Sequence, residues 1–152
     1  MSLKDQLEKD FIEAYKARDI SLSSILRLVK SSIKNAEIAN KKELDDNEVI
    51  SILKKEIKQR SESEAEYRKA GRNDLAEKEL FEAEAISKYL PVQLNEEAIS
   101  GAVDKAILEL NAENMSDMGK VMAQLMKTHG PSLDGALASK IVKEKLSQKQ
   151  NA

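Results

Sequence analysis

Apolar residues recur at intervals of three and four along almost the whole chain, the spacing that places side chains on one face of an α-helix. The clearest series lies in the second predicted helix and consists of Leu22, Ile25, Leu26, Val29, Ile33 and Ala36. Aromatic residues make up only 3% of the sequence, so runs of the kind that build sheets are scarce. The sequence therefore predicts an all-α protein and argues against a β-sandwich or a doubly wound sheet.

Helix-breaking and capping residues divide the N-terminal part into four predicted helices, at about residues 3–18, 19–40, 45–70 and 73–90. The apolar stripe of the third helix fades beyond Ile57, and Gly71 is placed to end that helix in the left-handed conformation. Residues 46–89 are therefore predicted to form a helical hairpin that projects beyond the packed bundle, with Asn73 capping its second arm.

A second part is expected to begin at Pro91, which interrupts the helical pattern in YLPVQLNEE. Three short amphipathic segments follow, at about residues 96–111, 117–128 and 135–146. Asn95 and Ser116 are the expected N-caps of the first two segments. The sequence thus predicts two domains, residues 1–90 and 91–152, each made of helices packed together.

This chain lacks the residues that most catalytic mechanisms need. There is no Cys and only one His, His129, which lies in a predicted turn, so a zinc or haem centre has too few ligands. Neither of the glycine-rich patterns that hold a nucleotide, GxxxxGK[ST] and GxGxxG, occurs. We therefore expect no catalytic residue, no metal and no cofactor.

The hydropathy of the sequence indicates where in the cell the protein is located, and its charge limits how it can bind nucleic acid. No apolar run approaches the roughly 20 residues that span a bilayer, and the start MSLKDQLEKD has no signal-peptide pattern. We expect a cytoplasmic protein without a membrane partner. The formal net charge of −2 means that any binding to nucleic acid must use a local basic patch.

Basic residues are concentrated in the second and third predicted helices. From residue 27 to residue 60 there are 9 basic and 6 acidic residues. If the two helices pack side by side, these cations form one phosphate-binding face, the alternative being a mixed solvent-exposed surface. The candidate residues are Arg27, Lys30, Lys34, Lys54, Lys55, Lys58 and Arg60.

Methionines recur at helical spacing in the C-terminal part, at positions 115, 118, 122 and 126. In a small three-helix domain they are predicted to fill the core. The alternative is an adaptable groove for a protein partner, which a solvent-exposed apolar face over residues 117–126 would favour.

Five segments, in this order, resemble the YqeY family: LRLVKSSIKNAEI (26–38), KQRSES (58–63), AGRNDLAEKE (70–79), YLPVQL (89–94) and DMGKVM (117–122). Members of that family are similar to the C-terminal tail of GatB, the kinase-like subunit of the tRNA-dependent amidotransferases. The resemblance implies two unlike helical bundles joined by a linker. It also implies that the tail helps to hold the tRNA while other parts of the enzyme transfer ammonia from glutamine.

Only a few positions carry over from the family individually. Residues 119–122 match its GKVM motif, whereas residues 129–132 replace a basic Lys-Gly-Arg turn with His-Gly-Pro-Ser. Lys120, Lys127 and Lys140 are then the best remaining phosphate contacts in the C-terminal part.

The expected function is a non-catalytic module that binds tRNA or links tRNA to an enzyme. The expected partners are tRNA and either a tRNA-dependent amidotransferase or an aminoacyl-tRNA synthetase. One alternative is an accessory component of a glutamine-dependent amidotransferase, a carbon–nitrogen ligase whose activity would require other subunits. A second alternative is a protein–protein interaction module.

Overall fold

The computed structural model describes residues 1–152, and it confirms the all-α prediction. The helices are α1 (Leu3–Lys16), α2 (Ile20–Asn40), α3 (Asp46–Lys69), α4 (Asn73–Ser87), α5 (Glu96–Leu110), α6 (Met118–His129) and α7 (Gly135–Gln150). No helix is both long and apolar enough to cross a membrane. The chain divides into two compact units, Met1–Leu90 and Pro91–Ala152.

The core of the first unit is built where α1 and α2 pack on the base of the α3–α4 hairpin. Its fully buried side chains come from all four helices and include Leu7, Ile25, Leu26, Val29, Val49, Leu53 and Ile86. Burying branched aliphatic side chains at roughly 25 cal/mol per Å² of apolar surface supplies most of the stability of such a bundle. The basic residues of α1 and α2 are held on this framework.

The outer part of the hairpin has little apolar support. Ala76 is the only buried residue between Lys54 and Glu82. Its two arms are joined there by ion pairs, because Arg60 binds Glu56 and Glu82, and Arg68 binds Glu64 and Glu77. Gly71, with φ of +73°, ends α3 as predicted.

Local capping explains where most helices begin. Ser2 accepts from the backbone N–H of Asp5 at 3.1 Å, and Asp45 accepts from that of Glu48 at 2.8 Å, each within a complete capping box. Asn95 likewise caps α5. Two predicted caps are wrong. Asn73 is the first residue of α4 and makes no cap, and Ser116 lies inside a short 3-10 turn that Asn114 caps instead.

Lys41 ends α2 with φ of +55°, a left-handed conformation that costs a side-chain-bearing residue roughly 1–2 kcal/mol. Its side chain is exposed and forms no ion pair. We expect Lys41→Gly to raise the free energy of unfolding by about 0.5 to 1 kcal/mol, measured by urea denaturation. Lys41→Ala is the control, since it removes the charge but keeps the Cβ atom. An equal gain in both variants would contradict a backbone origin.

Tyr89, from the YLPVQL segment, ties the end of the hairpin to α1. Its hydroxyl donates to Asp10 Oδ2 at 2.5 Å, and Asp10 Oδ1 accepts from Gln6 Nε2 at 2.9 Å. Burial, together with the hydrogen bond to the Asp10 carboxylate, raises the pKa of Tyr89 well above its ordinary value of 10.0.

The raised pKa makes this contact sensitive to alkaline pH. Below about pH 10 the phenol keeps its proton in the folded and unfolded states, so the full contribution to stability is present. Above that pH the unfolded state loses the proton first, and the contribution falls. We expect Tyr89→Phe to cost about 1 kcal/mol at pH 7 and the difference between the two proteins to shrink above pH 10. A difference that stays constant from about pH 7 to about pH 11.5 would contradict this origin.

The second unit packs α5, α6 and α7 around their own core of fully buried side chains, among them Ile99, Val103, Val121, Leu125, Val142 and Leu146. Met115, Met118 and Met122 are partly buried against that core, whereas Met126 is 49% exposed. Three of the four methionines therefore fill the core as predicted. No continuous apolar face is left open along residues 117–126, so the structure does not favour the alternative of a methionine groove.

Candidate nucleic-acid interface

A groove between α1 and α2 brings together four cationic side chains of the first unit. This α1–α2 groove has a volume of about 380 Å³ and contains four cationic side chains, Lys4, Arg27, Lys30 and Lys34, and two carboxylates, Glu8 and Glu37. Arg27, Lys30 and Lys34 lie at steps of three and four on α2, so they share one side of the helix over about 10 Å. The groove therefore carries a local positive charge in a protein whose net charge is −2.

Both carboxylates of the groove are already paired. Lys4 Nζ binds Glu37 Oε2 at 2.7 Å, and the same oxygen accepts from the backbone N–H of Leu44 at 2.9 Å. The hydrogen bond from Lys4, followed by that from Leu44, lowers the pKa of Glu37. Glu8 pairs with Lys30. Arg27 and Lys34 form no ion pair, so their charges remain available to a ligand.

An aromatic ring lies under two of these cations. The ammonium group of Lys30 is 4.3 Å from the centroid of the Phe11 ring, and the guanidinium carbon of Arg27 is 5.4 Å from it. These are cation–π distances, and each contact helps to hold its side chain in the groove. Tyr15, one turn further along α1, has its ring centroid 6.1 Å from that of Phe11.

The predicted single face formed by α2 and α3 does not exist. The side of α2 that meets α3 carries Ser32, whose hydroxyl donates to Glu56 of α3 at 3.0 Å. The three basic residues of α2 instead line the groove with α1, and no residue of α3 contributes to it. The physical reason is that Arg27, Lys30 and Lys34 are nearly half a turn around the helix from Ser32.

Arg60 is not available to bind a phosphate. Its side chain is only 12% exposed, and its guanidinium binds Glu56 at 2.5 Å and Glu82 at 2.9 Å. Lys54 is half-buried and already has an interaction. Lys55 and Lys58 are exposed on α3 without ion pairs.

In the second unit, Lys120 and Lys127 lie on the exposed side of α6, opposite buried Val121 and Leu125. Lys140 is exposed on α7. These three remain candidate phosphate contacts, and residues 91–152 contain no Phe, Tyr or Trp side chain to accompany them.

The only histidine is half-buried in a groove between α5 and α6. Lys105 and Glu109 of α5, together with Gln124 and Thr128 of α6, also line that groove. No group of three or more His, Asp and Glu side chains lies close enough together to hold a metal ion.

Sequence reasoning missed three members of the interface. Phe11 and Tyr15 are expected to face the core because they continue the apolar stripe of the first helix. Phe11 does pack on the core, but Tyr15 is 64% exposed. Nothing in the sequence around Lys4 indicates that it lies in the groove. The position of Phe11 in the groove could have been suspected from two features of the sequence. Phe11 lies one turn after Leu7, and the next helix carries cations at steps of three and four.

Fold and groove together define a class: a two-unit, all-helical protein with a cation-lined groove on its first unit. A family model described as "Yqey-like protein" matches residues 4–146 of this chain. The chain belongs to the YqeY-like family.

Several fungal proteins are similar to this chain. An uncharacterized protein of Schizosaccharomyces pombe is 33% identical over 59% of this chain and 73% of its own length. "Altered inheritance of mitochondria protein 41, mitochondrial" of Lachancea thermotolerans is 38% identical over 72% of this chain and 60% of its own length. The protein of the same name from Pyrenophora tritici-repentis is 29% identical over 95% of this chain and 81% of its own length.

These names overturn the expected cytoplasmic location. Relatives from Lachancea, Pyrenophora and Kluyveromyces lactis are all named as mitochondrial proteins, and they point to mitochondria instead. The expectation was wrong because a missing secretory pattern and a missing membrane span do not distinguish the cytoplasm from the interior of an organelle. This chain spans 60% of the Lachancea protein and 51% of the Kluyveromyces protein.

Proposed function

We propose that this protein is a non-catalytic module that binds folded tRNA by contacting backbone phosphates in the α1–α2 groove. The observation that carries the proposal is the pair of exposed, unpaired cations, Arg27 and Lys34, on either side of Lys30 in one groove. The two acidic groups nearby are neutralised by Lys4 and Lys30, so they offer little repulsion to a phosphate.

Contacts of this kind suit a folded RNA better than a free nucleotide. A phosphate contact contributes affinity by releasing counterions, and several cations along one groove follow the backbone without reading base edges. Recognition of a structured RNA then depends on shape and on phosphates held at fixed positions. The resemblance of the family to the tail of the amidotransferase protein GatB agrees with such a role. It leads us to propose a tRNA-dependent amidotransferase or an aminoacyl-tRNA synthetase as the enzyme that receives the RNA.

The test is binding of the purified chain to total tRNA across a salt series. We expect Arg27→Gln/Lys34→Gln to weaken binding and to reduce the slope of log affinity against log salt by about two, one for each lost contact. Lys55→Gln/Lys58→Gln is the matched control, because it removes two exposed, unpaired cations from α3 of the same unit.

Three outcomes would decide the matter. A reduced slope in the groove variant alone, with unchanged circular dichroism, supports the proposal. Equal losses in both variants would indicate diffuse attraction and would contradict a groove. No saturable binding at low salt would remove the tRNA function altogether.

A further inference from the structure

At the end of the α1–α2 groove, beyond Arg27, the surface changes character. Tyr15 is 64% exposed and Ile20 is 78% exposed, and both line a second depression that also contains Lys16, Arg18 and Arg27. Arg27 lines both the α1–α2 groove and this second depression, so the two are adjacent on the surface. No carboxylate lines the second depression.

We propose that this depression binds an unpaired nucleotide of the RNA, with its base stacked on Tyr15 and its phosphates next to Arg18 and Arg27. This inference rests on the proposed RNA-binding function and names the part of the RNA that the same surface takes. An exposed ring in a cation-lined depression without carboxylates provides the two elements of single-strand binding, a π-face for the base and positive charge for the backbone.

The ring of Tyr15 already contacts a neighbouring ring in the absence of a ligand. It lies 6.1 Å from the Phe11 ring at an interplanar angle of 34°, and Phe11 itself packs on the core. This contact restricts the Tyr15 side chain, so less conformational entropy is lost when a base stacks on its outer face.

Arg18 supplies an independent observation. It occupies the left-handed conformation with φ of +59° two residues after the end of α1, at a position where glycine would be free of strain. Its side chain is exposed and forms no ion pair. The left-handed turn at the end of α1 therefore leaves an exposed, unpaired guanidinium in the same depression as Tyr15.

The test compares two RNA stem-loops with the same stem, one blunt and one with four unpaired nucleotides at its 3′ end. We expect the wild-type chain to bind the RNA with the overhang about tenfold more tightly than the blunt RNA. Tyr15→Ala should abolish that preference, whereas Tyr15→Phe, which keeps the ring, should retain it. Equal affinity for the two RNAs, or a preference that survives Tyr15→Ala, would overturn the inference.

Two further variants separate stacking from loss of fold. Arg18→Gly should raise the melting temperature because it relieves the backbone, and it should weaken binding of the overhang RNA. Tyr15→Trp introduces the only tryptophan of the chain, and its fluorescence should be quenched by the overhang RNA and not by the blunt one.

The outcomes also separate this inference from the function on which it rests. If both RNAs bind equally and Arg27→Gln/Lys34→Gln weakens both, phosphate binding in the α1–α2 groove is supported and the stacking site is refuted. If neither RNA binds at low salt, both proposals fail.

Discussion

Replacing Arg60 with methionine is expected to lower the free energy of unfolding of the first unit by about 2 kcal/mol. The Arg60 side chain is 12% exposed, and its guanidinium joins Glu56 of α3 to Glu82 of α4, whose side chains are 18% and 15% exposed. Removal of the cation leaves two partly buried carboxylates without a counter-ion, and the hydrogen bond from the Ser32 hydroxyl to Glu56 compensates only part of their desolvation. For a unit of this size the loss corresponds to a fall in melting temperature of roughly 10 °C.

Hydrogen exchange locates the effect. We expect backbone amides of the outer hairpin, residues 61–80, to lose protection more than those at its base, because apolar packing holds only the base. A double-mutant cycle with Glu82→Gln gives the coupling between the two helices, for which we expect about 1 kcal/mol. A coupling energy near zero would show that the ion pair between Arg60 and Glu82 does not stabilise the hairpin.

The second large effect concerns the C-terminal unit. Leu125 is 1% exposed in the core of α5, α6 and α7, and Leu125→Ala should destabilise that unit by about 3 kcal/mol. A domain of about 60 residues has only about 3–9 kcal/mol of stability in total, so the variant is expected to be close to unfolding at room temperature.

The same variant tests the predicted division of the chain at Pro91. If residues 1–90 and 91–152 fold independently, Leu125→Ala should shift only one of two thermal transitions and leave the other in place. Met126→Ala, at the next and largely exposed position, is the control, with an expected loss below about 0.5 kcal/mol. A single transition that shifts as a whole would contradict independent folding.

The features that could be predicted from the sequence depend on neighbours along the chain. The capping boxes at Ser2 and Asp45 and the left-handed Gly71 involve residues within a few positions of one another, so local spacing is sufficient. The helical period likewise places Leu53 and Lys55 on different sides of α3, where Leu53 is buried and Lys55 is exposed.

The features that were missed depend on which helix packs against which. Spacing places Arg27, Lys30 and Lys34 on one side of α2, but nothing local states that α1 rather than α3 lies next to that side. Arg60 makes one contact that can be predicted from the sequence and one that cannot. Its contact with Glu56 is four residues away and can be predicted from spacing, whereas its contact with Glu82 forms only when the hairpin closes. The exposure of Tyr15 could not be predicted for the same reason, since the apolar stripe does not reveal how far the neighbouring helix extends.

Different kinds of contact hold the base and the outer end of the α3–α4 hairpin, so salt affects the two ends differently. Its base is held by close-packed aliphatic side chains, which resist deformation and strengthen in solutions that salt out apolar groups. Its outer end is joined by exposed or half-exposed ion pairs such as Arg68 with Glu64 and Glu77, which added chloride screens. Added chloride is therefore expected to loosen the outer end of the hairpin while the packing of its base is retained.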